Sequence, residues 1–558
     1  MLRPGIAGAA WLSSLLSMAS AGESLPAPSP AAPPMISNGD FEKEDGKGWP
    51  ADWPRPAEGV TWREEQGNHY LHFETSRPSQ FLKIQRTIIP RPGDKAYRLT
   101  VRARYRKMHY GPEMWYDGRI ILTFKDRDGK EIKPKPSDPH WNKGSKDWDN
   151  YSTEFLVPDG AVELLVMPSL IRVASGTLDL DDIAMEPIPA GPLIEKRKLD
   201  AARAAEAVAQ QIAGVKAKVP PAPADQFPSM LHVDGNQLLN ADGKPVWLQG
   251  VAIPSLEWCE GGEHIVQSTE IAIRDWKANC IRLPLKAEFW FGKGPYRHDG
   301  GAQYKQIVDD AMNLCAANGT YLVIDLHGFN APDQEAVKFW EEAAERYKNN
   351  PAVLFELFNE PFNISWEIWR NGGTVVPPKK YADAPVADQE QPRAFKSVGM
   401  QKLVDTVRAT GAKNVVIAGG LDWGYDLSGV VKEFTLKEHN GGHGIMYSSH
   451  IYPWKKDWQK STLDAAARYP VFIGEVGTPP DYNGFQFIKP EERHPLEGWA
   501  EDVLGLIQKY KLNWTGWSFH SKAGPCLLSG SDYTPTPYWG AYVKEALAGK
   551  PFEMKKMR

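Results

Sequence analysis

The sequence predicts an α/β protein in which a (β/α)8 TIM barrel follows an antiparallel β-sandwich. A chain of 558 residues is too long for one compact core, so two or three domains are expected. From Met35 to about Pro189, short apolar runs are separated by Gly, Pro, Asp and Asn, which is typical of antiparallel sheets. From Leu231 onward, apolar strands alternate with helical stretches, as in repeated βα units.

The composition is that of an ordinary soluble protein, with 42% hydrophobic and 24% charged residues. The net charge of −5 gives no electrostatic reason to expect nucleic acid or an anionic membrane as a partner, and we expect a monomer. No later apolar run reaches the ~18 residues of a transmembrane helix. The 21 tryptophans fit stacking on sugar rings as well as they fit large aromatic cores.

The first residues predict export. Residues 1–21 have the plan of a signal peptide: Arg3 supplies the charge, a mostly small and apolar stretch follows, and Ala19-Ser20-Ala21 has small residues where a signal peptidase cuts. A disordered N-terminus is the alternative. Residues 22–35 are rich in Pro, Ala and Ser and predict a flexible leader. We therefore expect a secreted protein, extracellular or periplasmic.

Residues 36–188 are predicted to form the β-sandwich, and residues 189–226 the linker. The predicted strands are Gln80–Ile89, Tyr97–Tyr105, Arg119–Phe124, Tyr151–Val157, Ala161–Met167 and Gly176–Met185. In the linker, Glu195–Val215 is rich in Ala, Glu, Lys and Arg and predicts a helix. The prolines of Val219–Pro223 then end it.

Both ends of the sandwich segment resemble jelly-roll carbohydrate-binding modules. Its opening reads ISNGDFE from Ile36, followed by Gly48-Trp49, and its closing strand reads LDLDDI from Leu178. The resemblance implies a jelly-roll that binds polysaccharide. A platform for the sugar could be formed by Trp115, Tyr116, Trp141 and Trp148, which could equally be core residues. A sandwich that only spaces or stabilises the rest of the chain remains the alternative.

Residues 227–558 are predicted to form the barrel. The predicted strands are Val246–Val251, Asn279–Leu285, Tyr321–Leu326, Val353–Phe358, Asn414–Ala418, Ile445–Ser449, Val471–Ile473 and Trp514–Ser518. The predicted helices are Val266–Lys277, Tyr304–Asn318, Gln334–Tyr347, Arg393–Thr410, Thr462–Tyr469, Glu497–Tyr510 and Tyr538–Ala548. The interval between strands five and six has the weakest helical pattern. A doubly wound sheet is the alternative, but no Gly-rich phosphate loop follows the first strand.

Two apolar, β-rich runs lead into a glutamate: VLFELFNEP contains Glu360 and VFIGEVG contains Glu475. The carboxyl ends of barrel strands meet on one face, so these two side chains can face each other across a cleft. Two facing carboxylates are the minimum equipment for cutting a glycosidic bond. One must be protonated to serve the leaving oxygen, and the other must be ionised.

Further polar and aromatic residues stand where other predicted strands end. They are Arg282 in IRLP, His327 in DLHG, Asn359 in NEP, His450 and Tyr452 in HIYP, and Trp517. Together with Glu360 and Glu475, this set resembles glycoside hydrolase family 5, the cellulase and mannanase family with catalytic glutamates on strands four and seven. The resemblance covers about Leu231 to Gly549. It implies a retaining β-glycanase that works without a cofactor or a metal.

The resemblance and the chemistry assign the same roles. Glu360 would be the acid/base, and we expect burial and the nearby charge of Glu475 to favour its protonated form. Glu475 would be the nucleophile, kept ionised by Arg282 and the Tyr452 hydroxyl. Asn359 could donate to the sugar 2-hydroxyl. His327 and His450 would position the sugar and the carboxylates. Trp517 would form the floor of the subsite that holds the distorted sugar ring.

Several alternatives stay open. Glu356 competes with Glu360 as the acid but lies deeper in the strand, where a structural ion pair or hydrogen bond is the expected role. Asn359 and Glu360 point to opposite faces of a regular strand, so both serve the site only if the chain bends there. His327, His450 and Trp517 could be core residues. Asp325 could orient a histidine or be a buried strand-end acid.

Other residues are left undecided by the sequence alone. Six tryptophans in or near the loops could each form a platform in an outer sugar subsite or could equally pack in the core: Trp258, Trp290, Trp366, Trp369, Trp423 and Trp454. Cys259 and Cys526 follow strands one and eight and could form a disulfide if the loops bring them together. Together the observations predict a secreted, retaining endo-β-1,4-glucanase acting on polysaccharide. The alternatives are a β-mannanase, another β-glycanase or a transglycosylase. The presence of both Glu360 and Glu475 argues against a non-catalytic carbohydrate-binding protein, which would not need both.

Overall fold

The computed structural model describes residues 33–75, 80–111, 115–296, 298–348, 350–376, 393–485 and 488–558. The chain divides into two compact units, Met1–Arg203 and Ala204–Arg558, and the division falls inside the segment predicted as the linker. The predicted signal peptide and most of the predicted leader lie outside the described residues.

The first unit contains two antiparallel sheets. Their strands are β1 (Val60–Glu65), β2 (Asn68–Glu74), β3 (Phe81–Lys83), β4 (Arg86–Ile88), β5 (Ala96–His109), β6 (Gly118–Lys125), β7 (His140–Trp141), β8 (Lys143–Leu156), β9 (Glu163–Ile171) and β10 (Ser175–Pro187). One sheet has the strand order β1-β2-β10-β5-β8 and the other β3-β9-β6-β7, with β4 also paired to β9. Each predicted strand of this unit is present, with Gln80–Ile89 split into β3 and β4.

Alternation along the strands builds the core of this unit. In β5, Leu99, Val101 and Ala103 are buried, whereas the intervening Arg102 and Arg104 lie on the other face of the sheet. The sequence analysis missed the hairpin of β1 and β2, because its strands carry many charged residues. Its two-residue turn, Gln66-Gly67, has positive φ at both positions, as such turns require.

The second unit is a closed barrel of eight parallel strands. Each strand is hydrogen-bonded to the barrel strands that precede and follow it in the sequence. Barrel strands one to eight are Gln249–Ala252, Cys280–Leu285, Tyr321–Leu326, Val353–Glu356, Val416–Gly419, Ile445–Ile451, Val471–Val476 and Asn513–Gly516. Strand eight pairs with strand one, which closes the ring. The predicted (β/α)8 barrel is therefore confirmed, and all eight predicted strands are present within a few residues.

Helices surround the barrel at Ile265–Arg274, Ala302–Ala317, Gln334–Tyr347, Gly399–Ala409, Trp499–Tyr510 and Gly540–Leu547. Two predicted helices were wrong in extent. Residues 393–398 are not helical, because Phe395–Ser397 pairs with Gly373–Val375 as a short hairpin. The predicted helix Thr462–Tyr469 is a π-type turn, Gln459–Leu463, that runs into Asp464–Ala466. The interval between strands five and six holds only the short turn Leu421–Gly424, as its weak pattern indicated.

Shorter helical segments occur at Ala224–Gln226, Pro254–Glu257, Ala287–Trp290, Trp366–Asn371 and Pro490–Glu492, and further short strands at His232–Asp234, Gln237–Leu239, Phe329–Asn330 and Glu360–Pro361. The linker helix, predicted as Glu195–Val215, spans Gly191–Ala213 and buries none of its residues. Across the described parts of the chain, no helix is both long and apolar enough to cross a membrane.

The apolar core leaves one end of the barrel free for polar side chains. A cluster that includes Leu248, Cys280, Tyr321 and Phe472 fills the end where the strands begin. The main core packs the outward faces of the strands against the surrounding helices. The buried charged residues of the barrel instead stand further along the strands, toward the carboxyl ends where sites of this fold are built.

Candidate active site

Arg282 is the hub of the polar cluster inside the barrel. It is fully buried, and its guanidinium donates from Nε to Glu356 Oε2 at 2.6 Å and from Nη1 to Glu475 Oε1 at 2.9 Å. Nη2 lies 3.0 Å from Asp325 Oδ2 and donates to Asn359 Oδ1 at 2.7 Å. Burial lowers the pKa of Arg282, but these carboxylates raise it well above its ordinary value. A permanent positive charge therefore joins strands two, three, four and seven.

Glu475 lies near the end of barrel strand seven and is almost fully buried. Oε1 accepts from Arg282, and Oε2 accepts from the Tyr452 hydroxyl at 2.6 Å. Burial and the charge of Glu475 raise the pKa of Tyr452 well above its ordinary value, so the phenol keeps the proton that it donates. A positive charge and a neutral hydroxyl donor therefore each bind one oxygen of this carboxylate.

Glu360 faces Glu475 through the imidazole of His450. His450 Nδ1 is 3.0 Å from Glu360 Oε1 and 3.7 Å from Glu475 Oε2. His450 is the penultimate residue of strand six and pairs in register with Glu475, and the register of the two strands shifts between Ser448 and His450. Glu360 keeps 13% of its side chain exposed, so it reaches the open cleft.

The chain bends after barrel strand four. The regular strand ends at Glu356, and Glu360–Pro361 pairs instead with Phe329–Asn330. This departure from the strand brings Asn359 and Glu360 to the same cluster, which a regular strand would not do. Asn359 Oδ1 is taken by Arg282, and its buried Nδ2 has no partner among the described residues, so the amide has a donor to offer.

His327 and Trp517 lie on the other side of the cluster. His327 Nδ1 is hydrogen-bonded with Asp325 Oδ2 at 2.7 Å, so Asp325 orients the ring as well as pairing with Arg282. Burial lowers the pKa of His327 to about 4, so the ring is neutral. The His327 and Trp517 rings are nearly parallel, with 5.8 Å between centroids, and Trp517 packs with Tyr452. All eight residues proposed for the site thus form one connected cluster.

Three aromatic side chains beside Glu360 were missed by the sequence analysis as a group. Trp423 stacks on Phe362 at 3.6 Å with an interplanar angle of 8°, and its indole is 45% exposed. Phe329, also exposed, approaches Trp423 at 6.4 Å. Their positions gave a signal, because Phe329 and Phe362 follow His327 and Glu360 by two residues each. Glu257, whose Oε2 lies 3.4 Å from His327 Nε2, was also missed.

Burial separates the other tryptophans that the sequence left undecided. Trp290 and Trp369 are fully buried and belong to the core, whereas Trp258 and Trp423 are exposed. Trp366 is half-buried against the core, and Trp454 stacks on Tyr452 with an interplanar angle of 2°. In the first unit, Trp141 is a core residue and Trp115 is exposed, while Trp148 lies under the guanidinium groups of Arg102 and Arg104.

Cys259 and Cys526 are free thiols, so the disulfide considered from the sequence is not formed.

The described structure brings three potential metal-ligating side chains within 4.8 Å of one another at this site. They are Glu360, His450 and Glu475. Burial lowers the pKa of His450, but the charge of Glu475 and the proximity of Glu356 and Glu360 raise it to about 10. A protonated imidazole has no free lone pair for a metal. The arrangement instead places an imidazole N–H beside two carboxylates, and we assign it no metal.

Comparison with known proteins points to one family. Residues 239–523, just over half of the chain and including all eight cluster residues, match the model of cellulase, glycosyl hydrolase family 5. The chain is 23% identical to cellulase CelDZ1 of Thermoanaerobacterium sp over 355 residues, which are 58% of this chain and 82% of that protein. It is 26% identical to endoglucanase MaCel5A of Microbulbifer sp. (strain ALW1) over 306 residues, 52% of this chain and about half, 51%, of that relative.

Among solved structures, the β-glucanase SdGluc5_26A of Saccharophagus degradans, in complex with cellotetraose, covers 59% of this chain and 98% of its own, with 23% identity and a TM-score of 0.46. The family match extends from the hairpin ahead of the first barrel strand to the loop after the last. The chain is therefore a glycosyl hydrolase and belongs to the cellulase family, glycosyl hydrolase family 5.

Proposed function

We propose that this chain is a secreted endo-β-1,4-glucanase that cleaves by a retaining double displacement, with Glu360 as the acid/base and Glu475 as the nucleophile. The observation that carries this proposal is the different surroundings of two facing carboxylates. Glu475 is held by Arg282 and Tyr452, whereas Glu360 contacts His450 and reaches the cleft. The carboxylate that is bound by a cation and a phenol suits the nucleophile, and the other suits the proton carrier.

The distance between the carboxylates supports retention. An oxygen of Glu360 lies within 4.8 Å of an oxygen of Glu475. Retaining enzymes have the two carboxyl groups about 5–5.5 Å apart, whereas inverting enzymes keep ~6.5–9.5 Å to admit a water molecule. Glu475 would attack the anomeric carbon while Glu360 protonates the departing oxygen. Glu360, now ionised, would then take a proton from water, which attacks the same carbon and releases Glu475.

Asn359 supports the transition state in this scheme. Its Nδ2 is buried, lacks a partner within the described structure and is oriented by the bond from Arg282 to Oδ1. A donor placed in this way can bind the sugar 2-hydroxyl, whose hydrogen bonds strengthen as positive charge develops on the ring. His327 and Trp517 line the same cluster and would contact the sugar that is being distorted.

The substrate is inferred from the relatives. The two relatives described above are named a cellulase and an endoglucanase. This similarity supports a β-1,4-glucan substrate for this chain, and because loops choose the sugar on a shared barrel, an assay on several glycans is the test. The predicted signal peptide supports secretion. N-terminal sequencing of the protein from its native host, with the mature chain starting near residue 22, would test that part.

A reducing-sugar assay on carboxymethyl cellulose, soluble β-glucan, xyloglucan, glucomannan and galactomannan tests the substrate. We expect the highest turnover on the glucans, with a fast drop in viscosity because cleavage is internal. Preference for galactomannan would replace the glucanase with a mannanase. The first product anomer, read by proton NMR, should be β, and an α product would reject retention. Transfer to an added acceptor sugar in preference to water would indicate a transglycosylase.

A further inference from the structure

A third carboxylate, Glu356, lies behind the proposed catalytic pair. It is fully buried, and its Oε2 accepts from Arg282 Nε at 2.6 Å. Its other oxygen, Oε1, has no hydrogen-bond partner among the described residues and lies 4.0 Å from His450 Nε2. Burying a carboxylate oxygen without a hydrogen-bond partner costs free energy, because the oxygen loses its hydration. A positive charge on the nearby imidazole can offset that cost.

Gly474 keeps open the space in which these two groups meet. A Cβ at this position would lie 2.9 Å from Glu356 Oε1, 3.0 Å from His450 Nε2 and 2.5 Å from Ser448 Oγ. All three atoms are buried, and none has a hydrogen-bond partner in the described structure. Any residue larger than glycine would therefore separate Glu356 from His450. The carboxylate and the imidazole are brought together by the shape of strand seven as well as by their charges.

The His450 ring connects Glu356 with both proposed catalytic carboxylates. Nε2 faces Glu356, while Nδ1 faces Glu360 at 3.0 Å and Glu475 at 3.7 Å. The other titratable groups close to this assembly are Arg282, bonded to Glu356 and Glu475, and Asp325, which faces Arg282 and His327 and whose pKa is raised well above its ordinary value by burial. Burial raises the pKa of Glu356, but Arg282 and then His450 lower it well below its ordinary value. A negative charge therefore stands behind the ring.

A fixed positive charge on His450 would match the way charge moves in a double displacement. Before the first step Glu475 is ionised and Glu360 is protonated. In the glycosyl-enzyme, Glu475 is a neutral ester and Glu360 carries the charge. One imidazolium within 3.7 Å of both can neutralise whichever carboxylate is ionised. The same imidazolium contacts the carboxylate that forms on Glu360 when the proton passes to the leaving oxygen.

We propose that Glu356 is a positioning residue of this glycosidase, which keeps His450 doubly protonated so that the imidazolium serves Glu360 and Glu475 in turn. This inference rests on the function proposed above. Glu356 is fully buried, and in this role it acts through the ring rather than on the substrate. Its relation to His450 resembles that of the buried aspartate that orients and stabilises an imidazolium in serine proteases.

The test is Glu356→Gln in the full chain. The glutamine carbonyl can still accept from Arg282 Nε, while its NH2 group would face His450 Nε2 and favour a ring nitrogen without a proton. Proton–nitrogen NMR of histidine-labelled protein, with the His450 signal identified by its loss in His450→Gln, follows the ring. We expect wild-type His450 to stay doubly protonated at pH 8, and Glu356→Gln to lower its pKa by ~1 unit or more. A wild-type ring that is neutral at pH 8, or an unchanged variant, would overturn the proposal.

Kinetics give the second measurement. Phenyl β-cellobioside needs a proton from Glu360, whereas the 2,4-dinitrophenyl glycoside leaves without one. Glu356→Gln should slow glycosylation by the phenyl substrate about tenfold or more and by the dinitrophenyl substrate less than threefold, within the ~10²–10⁴-fold that general acid catalysis supplies. An equal loss on both substrates would show a purely structural role and reject the proposal.

Asp325→Asn is the matched control, because it also removes a buried carboxylate partner of Arg282 but faces His327 rather than His450. It should shift the His450 titration much less than Glu356→Gln does, because its close contacts are Arg282 and His327, and it should not separate the two substrates. The ring measurement does not require turnover. A wild-type chain inactive on every β-glycan would therefore reject the proposed function, whereas a neutral His450 in an active enzyme would reject only the role of Glu356.

Discussion

At the scale of single residues, Glu360 and Glu475 are chemically identical side chains with different surroundings. Glu475 accepts hydrogen bonds from Arg282 and Tyr452. Among the described residues, the side chain of Glu360 is hydrogen-bonded to His450, and it is otherwise open to the cleft. The contacts that stabilise an anion therefore concentrate on Glu475. The same difference predicts that removing either side chain will have a distinct kinetic signature.

We expect Glu475→Ala to be inactive on all substrates, because no glycosyl-enzyme can form. Glu360→Ala should lose at least about 10²-fold on polysaccharide, where the leaving oxygen needs a proton. With a dinitrophenyl glycoside it should still form the intermediate, giving a burst in stopped-flow absorbance. Azide should then accelerate turnover and yield a β-glycosyl azide. If Glu475→Ala gave the burst and the β-azide instead, the two roles would be exchanged.

The hydroxyl of Tyr452 offers a smaller change at the same site. Tyr452→Phe removes only the 2.6 Å hydrogen bond to Glu475 Oε2. Hydrogen bonds to charged groups contribute about 1.5–3 kcal/mol, so kcat/KM should fall roughly 10- to 150-fold while the thermal midpoint changes little. Tyr447→Phe, which removes a hydroxyl bonded to the backbone of Leu436, is the control and should lower stability rather than the rate. Unchanged kcat/KM in Tyr452→Phe would contradict the role given to this phenol.

At the scale of elements, the loop after barrel strand five is strained. Asp422 and Trp423 are consecutive non-glycine residues with positive φ, a conformation that costs about 1–2 kcal/mol per residue. Lys455 holds the loop through Asp422, donating to its backbone and side-chain oxygens at 2.6 and 2.8 Å. The conformation places the exposed Trp423 indole on Phe362, beside Glu360. Strain at such a position suggests that the loop is held for binding.

We therefore expect Trp423→Ala to raise KM for cello-oligosaccharides about 5- to 30-fold, as loss of a stacking platform worth roughly 1–2 kcal/mol would do. Its thermal midpoint should stay near wild type. Trp369→Ala is the matched control, because that indole is fully buried and donates to Gly419 O at 2.8 Å. It should cost ~3–5 kcal/mol in urea unfolding. A destabilised Trp423→Ala with unchanged KM would assign that side chain to packing.

At the scale of the whole molecule, the chain joins a sandwich and a barrel, each with its own core. The sandwich presents the exposed Trp115, with Tyr116 edge-on at 4.2 Å. Exposed paired aromatics can bind the faces of sugar rings, and this would agree with the resemblance of the segment to carbohydrate-binding modules. Binding by this unit remains a proposal that the full chain can test.

If the sandwich binds glycan, Trp115→Ala in the full chain should lower its pull-down by insoluble cellulose several-fold. Turnover of short soluble cello-oligosaccharides should stay nearly unchanged, because the eight cluster residues all belong to the barrel unit. Deleting residues 36–188 should have the same effect on binding. Trp62→Ala, whose half-buried indole packs on the sandwich core, controls for loss of stability. Equal pull-down of the deleted and full chains would leave the sandwich a spacer or stabilising unit.

What the sequence determined by itself was everything carried by local pattern. The apolar runs that alternate with helical segments predicted eight strands in the right order, because strand burial in a barrel leaves an almost continuous apolar signature. The order of strands then placed Arg282, Glu360 and Glu475 on one face, since all parallel strands end there. The charged strands Val60–Glu65 and Asn68–Glu74 carried too weak an apolar signature, and the sequence analysis missed them.

Only the tertiary structure decided how the side chains meet. The strand period separates Asn359 from Glu360, and both join the site because Glu360–Pro361 leaves strand four to pair with Phe329–Asn330. The partners of Glu356 come from strands two and six, and no local pattern records that Gly474 leaves room for them. Contacts between residues far apart in the chain depend on register, bends and burial, which arise only when the barrel closes.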